Sequence, residues 1–234
     1  MAAKRLECTI EVNDINSFIK KALNFSITFS HCTYFNNNNL PYLYGAFPQM
    51  LMMGCHKLID PNSSDAFEAI KNAHDTEPDW YTGYFGYDLK NICEELKSEN
   101  LDRIGFPDFL FFQPEHVLIF DNNFVKILSF ADPYSLFQSI QDFSVIEDPV
   151  QQQEMGKGPS GWQAAMEIEE YLHKTEAIRE HIINGDMYEM NYCMEFFAEN
   201  QQIDPLATYI ILNKISPMPF SVFGKFYDKF LLCA

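Results

Sequence analysis

Two pairs of neighbouring residues, His31-Cys32 and Cys55-His56, have side chains that can bind zinc. Their spacing matches no common CxxC or HxxxH ligand pattern. The chain has six cysteines, scattered without a dense framework, which is typical of small core residues in a reducing compartment. We therefore favour core packing for both pairs and expect no metal ligands in this chain.

Carboxylates and histidines are the other residues that could act as acid and base. The chain carries 33 acidic residues against 16 basic ones, so neighbours such as Glu94-Glu95 are expected to form a solvated helix face. His173 and His181 lie on one predicted helix. Their positions are explained equally well by a polar edge of that helix and by a functional site. The GxSxG and HExxH patterns do not occur. Spacing alone therefore identifies no catalytic residue.

The formal net charge of −17 limits the class of partner. Such a field repels phosphate backbones and anionic lipids, which argues against nucleic acid and membrane surfaces. No segment reaches the ~18 apolar residues of a membrane span, and the first residues lack the apolar core of a signal peptide. We expect a cytoplasmic protein. An anionic substrate would need a local group of cations, which this chain has few residues to supply.

Residues 1–147 have the pattern of an antiparallel sheet with helices beside it. Asn13 or Asp14 can cap a first helix, and Ser64 or Asp65 can cap a second. Aromatic and β-branched residues predict strands within 25–35, 42–54, 80–86, 108–120 and 124–130.

Residues 148–161 are polar, contain Gly and Pro and show neither period, so we interpret them as a linker. A helix over 168–182 is expected to end at Asn184-Gly185, before a strand that places Tyr188 and Tyr192 on one side. A helix over 204–215 and two strands within 220–234 complete the pattern. Because the chain stops within an apolar strand, we expect it to be truncated.

Four segments, in order, resemble one family. They are GYFGYDL at 83–89, IGFPDFLFFQPEHVLIFD at 104–121, IREHIINGDMYEMNYCMEF at 178–196 and LNKISPMPFSVF at 212–223. Each is similar to a motif of the chorismate-utilising enzymes, specifically component I of aminodeoxychorismate synthase (para-aminobenzoate synthase) and of anthranilate synthase. The sequence resembles the N-terminal portion of such a chain.

The resemblance implies an α+β fold, an antiparallel two-sheet sandwich with outer helices, truncated at its C-terminus. Residues 1–147 would be the N-terminal anthranilate synthase component I-like region and 148–161 the linker. Residues 162–234 would be the incomplete start of the chorismate-binding domain. Apolar strands left exposed by truncation would favour self-association.

The implied activity is conversion of chorismate and ammonia to 4-amino-4-deoxychorismate in para-aminobenzoate and folate biosynthesis. A glutamine amidotransferase subunit would supply the ammonia, and the complete enzyme would use Mg²⁺. The family's SPERF element and its PIKGT segment, whose Lys attacks the chorismate ring, are absent. We therefore expect this chain alone to be inactive, with no catalytic residue and no metal ligand. Two alternatives stay open. The chain could instead be the N-terminal part of anthranilate synthase component I, of tryptophan biosynthesis, or a non-catalytic module that senses a ligand or docks the amidotransferase.

The family's tryptophan pocket implies the remaining site residues. Its Pro-aromatic-small triplet corresponds to Pro219, Phe220 and Ser221, and the position of its Ser corresponds to Cys32. A thiol is a weaker hydrogen-bonding group than a hydroxyl. The alternative is that Pro219 and Phe220 are the start of a strand packed in the core.

Overall fold

A computed structural model describes residues 4–45, 47–60, 65–97, 100–145 and 161–234. The chain divides into two compact units, Met1–Glu147 together with Pro205–Ala234, and Asp148–Asp204. We call them the first and the second unit. The predicted linker lies outside the described residues except for Gly161. The division of the chain into 1–147, 148–161 and 162–234 stays a prediction.

The described residues form mixed helices and antiparallel sheets, which confirms the α+β expectation. The helices are α1 (Ile15–Ser26), α2 (Ala66–Thr76), α3 (Lys90–Cys93), α4 (Pro133–Gln141), α5 (Ile168–Asn184) and α6 (Pro205–Ile215), with a 3₁₀ turn at Tyr87–Leu89. The strands are β1 (Leu6–Glu11), β2 (His31–Asn36), β3 (Met50–Met53), β4 (Lys57–Leu58), β5 (Thr82–Phe85), β6 (Phe109–Gln113), β7 (His116–Asp121), β8 (Phe124–Ser129), β9 (Gln163–Ala164), β10 (Phe196–Phe197), β11 (Ser221–Phe226) and β12 (Lys229–Cys233).

A seven-stranded sheet is the centre of the first unit, with strand order β1-β8-β7-β3-β2-β11-β12. Every neighbouring pair is antiparallel. The main hydrophobic core contains buried side chains of α1, α4 and α6 together with sheet residues such as Leu51 and Leu118, which are fully buried. The helices therefore cover one face of this sheet, since alternate strand residues point to opposite faces.

A three-stranded sheet has the order β4-β6-β5. It contacts residues of the large sheet that do not face the helices. Thr33 Oγ1 lies 2.8 Å from Thr82 Oγ1, and both side chains are buried. The ring of Phe112 lies 5.0 Å from that of His31 and 6.4 Å from that of Phe226. These contacts place the smaller sheet against the residues of β2 and β11 that do not join the helical core.

Capping confirms the predicted start of both early helices. Asp14 accepts a hydrogen bond from Ser17 N at 3.0 Å, and Asp65 accepts one from Glu68 N at 2.9 Å. An aspartate at this position satisfies one of the free N–H groups of the first helical turn. Helices α1 and α2 therefore begin at the positions that the sequence predicted.

Three predicted strands were too long. The segment 25–35 begins inside α1, so β2 starts only at His31, and within 42–54 only β3 is a strand. The segment 108–120 is two strands, because Pro114 separates β6 from β7 and the two pair in different sheets. Proline has no N–H to donate to a ladder, which ends β6 there.

The second unit contains α5, β9 and β10. Gly185 ends α5 in a left-handed conformation, with φ 81°, as predicted. The predicted strand carrying Tyr188 and Tyr192 is wrong, because only Phe196–Phe197 is paired in that region. Tyr188 is 91% exposed, whereas the ring of Tyr192 stacks on Tyr171 at 5.2 Å. A strand needs a paired neighbour, and among the described residues none lies beside 188–192.

Candidate functional site

The four predicted pocket residues lie on or beside two paired strands, β2 and β11. Cys32 is opposite Lys225 in the antiparallel ladder, and Ser221 is opposite Asn36. Residues two and four apart on a strand share a face, so Cys32 and Ser221 lie on the same face of the sheet. That face is the one covered by the helices.

Cys32 belongs to the core rather than to an open surface. Its side chain is fully buried, and Sγ lies 3.5 Å from Ser26 Oγ at the end of α1. Burial raises the pKa of the Cys32 thiol to about 11. A thiol with such a pKa is neutral near pH 7 and is therefore a poor nucleophile and a poor metal ligand.

Lys225 is a cation that the sequence reading did not single out. Its Nζ donates to the carbonyl of Ile27 at 2.6 Å and to that of Phe29 at 2.7 Å. Both carbonyls follow the C-terminal end of α1, where a positive charge is favourable. Lys225 therefore holds the α1–β2 connection against β11. The one signal in the sequence was a lone lysine within the apolar run FSVFGKF.

Ser221 is held by a buried hydroxyl pair. Its Oγ lies 2.7 Å from the hydroxyl of Tyr209 on α6, and both residues are buried. Tyr34 lies beside Tyr209 with ring centroids 6.2 Å apart, and its hydroxyl accepts from Gln49 Nε2 at 2.6 Å. Burial raises the pKa of both tyrosines, so they are neutral hydrogen-bonding groups.

Phe220 is the accessible member of the predicted set. It is 37% exposed and lies in an aromatic cluster with Tyr42, at 4.7 Å between ring centroids, and Phe47, at 5.6 Å. Pro219, directly before it, is half-buried. The two rings come from the loop between β2 and β3. This cluster presents apolar ring surface of the kind that binds aromatic ligands.

Pro219, Phe220 and Ser221 are consecutive, whereas Cys32 lies four ladder positions away, and the four residues occupy three different environments. Cys32 is packed against α1, Ser221 is paired with Tyr209, and Phe220 lies among the rings of the β2–β3 loop. None of these groups is a charged nucleophile or base. The arrangement suits binding rather than covalent chemistry.

The first motif, GYFGYDL, is explained by close packing of two strands. A Cβ atom on Gly83 would lie 1.9 Å from the carbonyl oxygen of Leu110, and one on Gly86 would lie 2.8 Å from that of Asp108. Both positions require glycine because the segment 83–86 passes so close to the backbone of 108–110 that a Cβ atom would clash with it. This motif therefore has a framework role.

The side chains able to bind a metal ion are dispersed in the described residues. Among the described residues, no three His, Cys, Asp or Glu side chains come close enough together to hold a metal ion. Mg²⁺ prefers several oxygen ligands in octahedral geometry. The described residues therefore do not fit a Mg²⁺ site. In the same part of the chain, no helix has both the length and the apolar character needed to cross a bilayer.

Comparison with known proteins identifies the family of this chain. The sequence profile of the family described as chorismate binding enzyme matches residues 43–234. The chain belongs to the chorismate binding enzyme family. This match covers all four motifs named above and all of β11 and β12.

Several named proteins of this kind are similar to this chain at low sequence identity. Aminodeoxychorismate synthase component 1 of Escherichia coli (strain K12) is 29% identical over 164 residues, 64% of this chain and 34% of that protein. Anthranilate synthase component 1 of Thermus thermophilus is 28% identical over 145 residues, 59% of this chain and 31% of that protein. That of Saccharolobus solfataricus is 24% identical over 152 residues, 64% and 32% of the two chains. The chain spans about a third of the length of the curated relatives it matches.

Proposed function

We propose that this chain is the N-terminal portion of an aminodeoxychorismate synthase component I. The supporting observation is the family match over residues 43–234, combined with 29% identity to a protein of that name. The complete enzyme would convert chorismate and ammonia to 4-amino-4-deoxychorismate, with ammonia from a glutamine amidotransferase subunit. The family's two-sheet sandwich would include the two antiparallel sheets of the first unit.

The chemistry is proposed to lie outside this chain. Chorismate is a dicarboxylate, and binding it requires cations or a metal ion. Lys225 donates both observed hydrogen bonds to backbone carbonyls, and Arg5 contacts Asp79 and two further carbonyls. These two cations therefore serve the framework. Mg²⁺ would be held by residues of the complete enzyme that do not belong to this chain.

Reading the gene beyond codon 234 tests this proposal. We expect an open frame encoding a SPERF element and a PIKGT segment. The complete protein, given chorismate, Mg²⁺ and ammonia, should then produce 4-amino-4-deoxychorismate, and this chain alone should produce none. A stop codon with no such downstream sequence, or turnover by this chain alone, would contradict it.

Anthranilate synthase component I is the second candidate. It is favoured by the matches to the Thermus thermophilus and Saccharolobus solfataricus proteins of that name. The assay of the complete protein separates the two, because anthranilate forms without a second enzyme and is fluorescent. Formation of anthranilate would assign the chain to this candidate.

We also propose that Phe220 and Pro219 line a pocket for a small aromatic ligand such as tryptophan, with Ser221 and Cys32 buried in the sheet beside it. The exposed face of the Phe220 ring supports this, and its contacts with Tyr42 and Phe47 supply further ring surface. Calorimetry with tryptophan should show binding that Phe220→Ala abolishes. Phe196→Ala is the matched control, since Phe196 is an exposed phenylalanine of the second unit. Absence of heat at millimolar tryptophan would refute the pocket.

A further inference from the structure

A cavity of about 740 Å³ lies apart from the four predicted pocket residues. It opens where the first turn of α1, the loop between β2 and β3 and the turn between β7 and β8 meet. Cys32, Pro219, Phe220 and Ser221 are not among its lining residues. Side-chain amides dominate its wall: Asn16, Asn37, Asn39, Gln49, Asn122 and Asn123.

Several of these amides fix the wall in place. Asn37 Nδ2 donates to the carbonyl of Phe47 at 3.0 Å, and its Oδ1 accepts from Asn39 N at 2.9 Å. Gln49 Nε2 donates to Tyr34, and the carbonyl of Gln49 accepts from Phe120 N at 2.9 Å. The loop between β2 and β3 is thus attached to the sheet on both sides of the cavity. The wall is preformed, so a ligand would not have to order it.

Three other side-chain amides of the wall are not used in hydrogen bonds within the protein. In the part of the chain that the structure describes, the side chains of Asn16, Asn39 and Asn123 make no hydrogen bond, and Asn123 uses only its carbonyl, which accepts from Val12 N at 2.7 Å. Each amide offers two donors and an acceptor. They come from three separate elements, α1, the β2–β3 loop and the β7–β8 turn, and line one cavity. All three residues are exposed, so their amide groups are accessible to a ligand that enters the cavity. A few polar groups beside apolar surface are typical of a ligand site.

The charge of the wall defines the class of ligand. Asp121 is the one charged residue among the described lining residues, and its carboxylate also accepts from Asn122 Nδ2 at 2.9 Å. With no cation in that wall and a net charge of −17, an anion is disfavoured. Ile15, Ile19 and Ile119 supply apolar surface between the amides. We propose that this cavity binds a small uncharged polyhydroxyl compound, a polyol or a monosaccharide. The proposal does not rest on the proposed function.

Amide resonances of the ¹⁵N-labelled chain, titrated with D-glucose and with sorbitol, test this site. Binding should shift resonances of residues 37–49 and 119–123, whereas citrate at equal concentration should not. Asn39→Gly removes one unpaired amide, and glycine accepts the φ of 53° at this position without strain. We expect this variant to bind at least about tenfold more weakly, a loss of about 1.4 kcal/mol.

Asn200→Gly is the matched control, because Asn200 has a φ of 56° but lies in the second unit. It should leave the titration unchanged. The proposal is overturned if neither polyol shifts these resonances at tens of millimolar, if citrate shifts them equally, or if Asn39→Gly binds as the unsubstituted chain does.

Discussion

The two units of this chain differ most in what they bury. All the buried hydrophobic side chains of the described residues lie in the first unit, and α5 of the second unit has no buried residue. Yet α5 carries exposed Ile168, Leu172 and Ile183. Because burial of apolar area is the main stabilising contribution to folding, the first unit should carry almost all the stability of the chain. The two units are therefore expected to differ in stability, although the sequence match extends across both.

The largest contrast is expected for phenylalanines. Phe112→Ala removes a fully buried ring of the first unit that contacts His31 and Phe226, and should cost about 3–5 kcal/mol in the free energy of unfolding. Phe196→Ala removes a ring that is 59% exposed in the second unit, and should change it by less than about 0.5 kcal/mol. Urea denaturation of both variants measures the difference. Equal losses would contradict the contrast between the units.

The second contrast concerns arginines. In the first unit, the Arg5 guanidinium donates to the Asp79 carboxylate at 2.8 Å and to the carbonyls of Glu115 at 3.1 Å and Pro114 at 2.7 Å. Burial opposes ionisation of Asp79, but hydrogen bonds from Arg5 and Gln113 outweigh it and lower the pKa of this carboxyl group. Arg5→Ala leaves that charge half-buried without its cation and should cost about 3 kcal/mol.

Arg5→Lys should recover only part of this loss, because an ammonium cannot reproduce the planar fork. The control is Arg179→Ala on α5, where an exposed arginine pairs with Glu176. Screening by water should leave unfolding without a measurable change there. If Arg5→Ala lowered the free energy of unfolding no more than Arg179→Ala does, the hydrogen bonds of Arg5 would contribute nothing measurable to stability.

The third prediction concerns acid. Burial, with a smaller contribution from Arg5, lowers the pKa of His116 to about 4. Its Nδ1 lies 2.8 Å from Ser129 Oγ, an arrangement that a neutral imidazole can keep. The unfolded chain binds this proton near pH ~6.5, so stability from this residue is present above that pH and falls as pH drops toward ~4. The full loss is about 3 kcal/mol.

Urea denaturation at several pH values between those limits measures this loss. His116→Asn keeps a group that can bond to Ser129 but has no proton to bind, so its stability should fall less steeply with acid. The same slope in both proteins would show that another group is responsible.

The smallest expected effect is in the second unit. Gly185→Ala places a Cβ at a φ of 81°, with no atom within 4 Å of it, so only backbone strain of about 1 kcal/mol is expected. The end of α5 should exchange its amide hydrogens faster, while the urea midpoint stays unchanged. Gly54→Ala is the counterpart in the first unit, and its added Cβ would also meet the side chain of Glu115 at 2.8 Å. It should lower the midpoint, and an unchanged midpoint would contradict the packing described.

The sequence predicted best those features that depend on neighbouring residues. The caps at Asp14 and Asp65, the left-handed end of α5 at Gly185 and the hairpin of β11 and β12 all follow from local chemistry. Helix α4 was missed, although Asp132 before Pro133 is a helix-start signal, and Asp132 does accept from Ser135 N.

Features that depend on distant residues were not predictable in this way. The alternation of Tyr188 and Tyr192 predicted a strand, but a strand also needs a partner, which no local pattern specifies. The environment of Cys32 depends on Lys225 across the ladder and on Ser26 of α1, so its burial could not be derived from its neighbours in sequence. For the same reason, the unpaired amides of Asn16, Asn39 and Asn123 gave no common signal.

Hydrogen exchange of the whole chain, resolved to segments, tests the contrast between the units most directly. We expect amides of β7 and β2, in the middle of the large sheet, to exchange only through global unfolding, and those of α5 to exchange much faster through local opening. Protection of α5 equal to that of β7 would contradict the claim that the first unit carries almost all the stability of this chain.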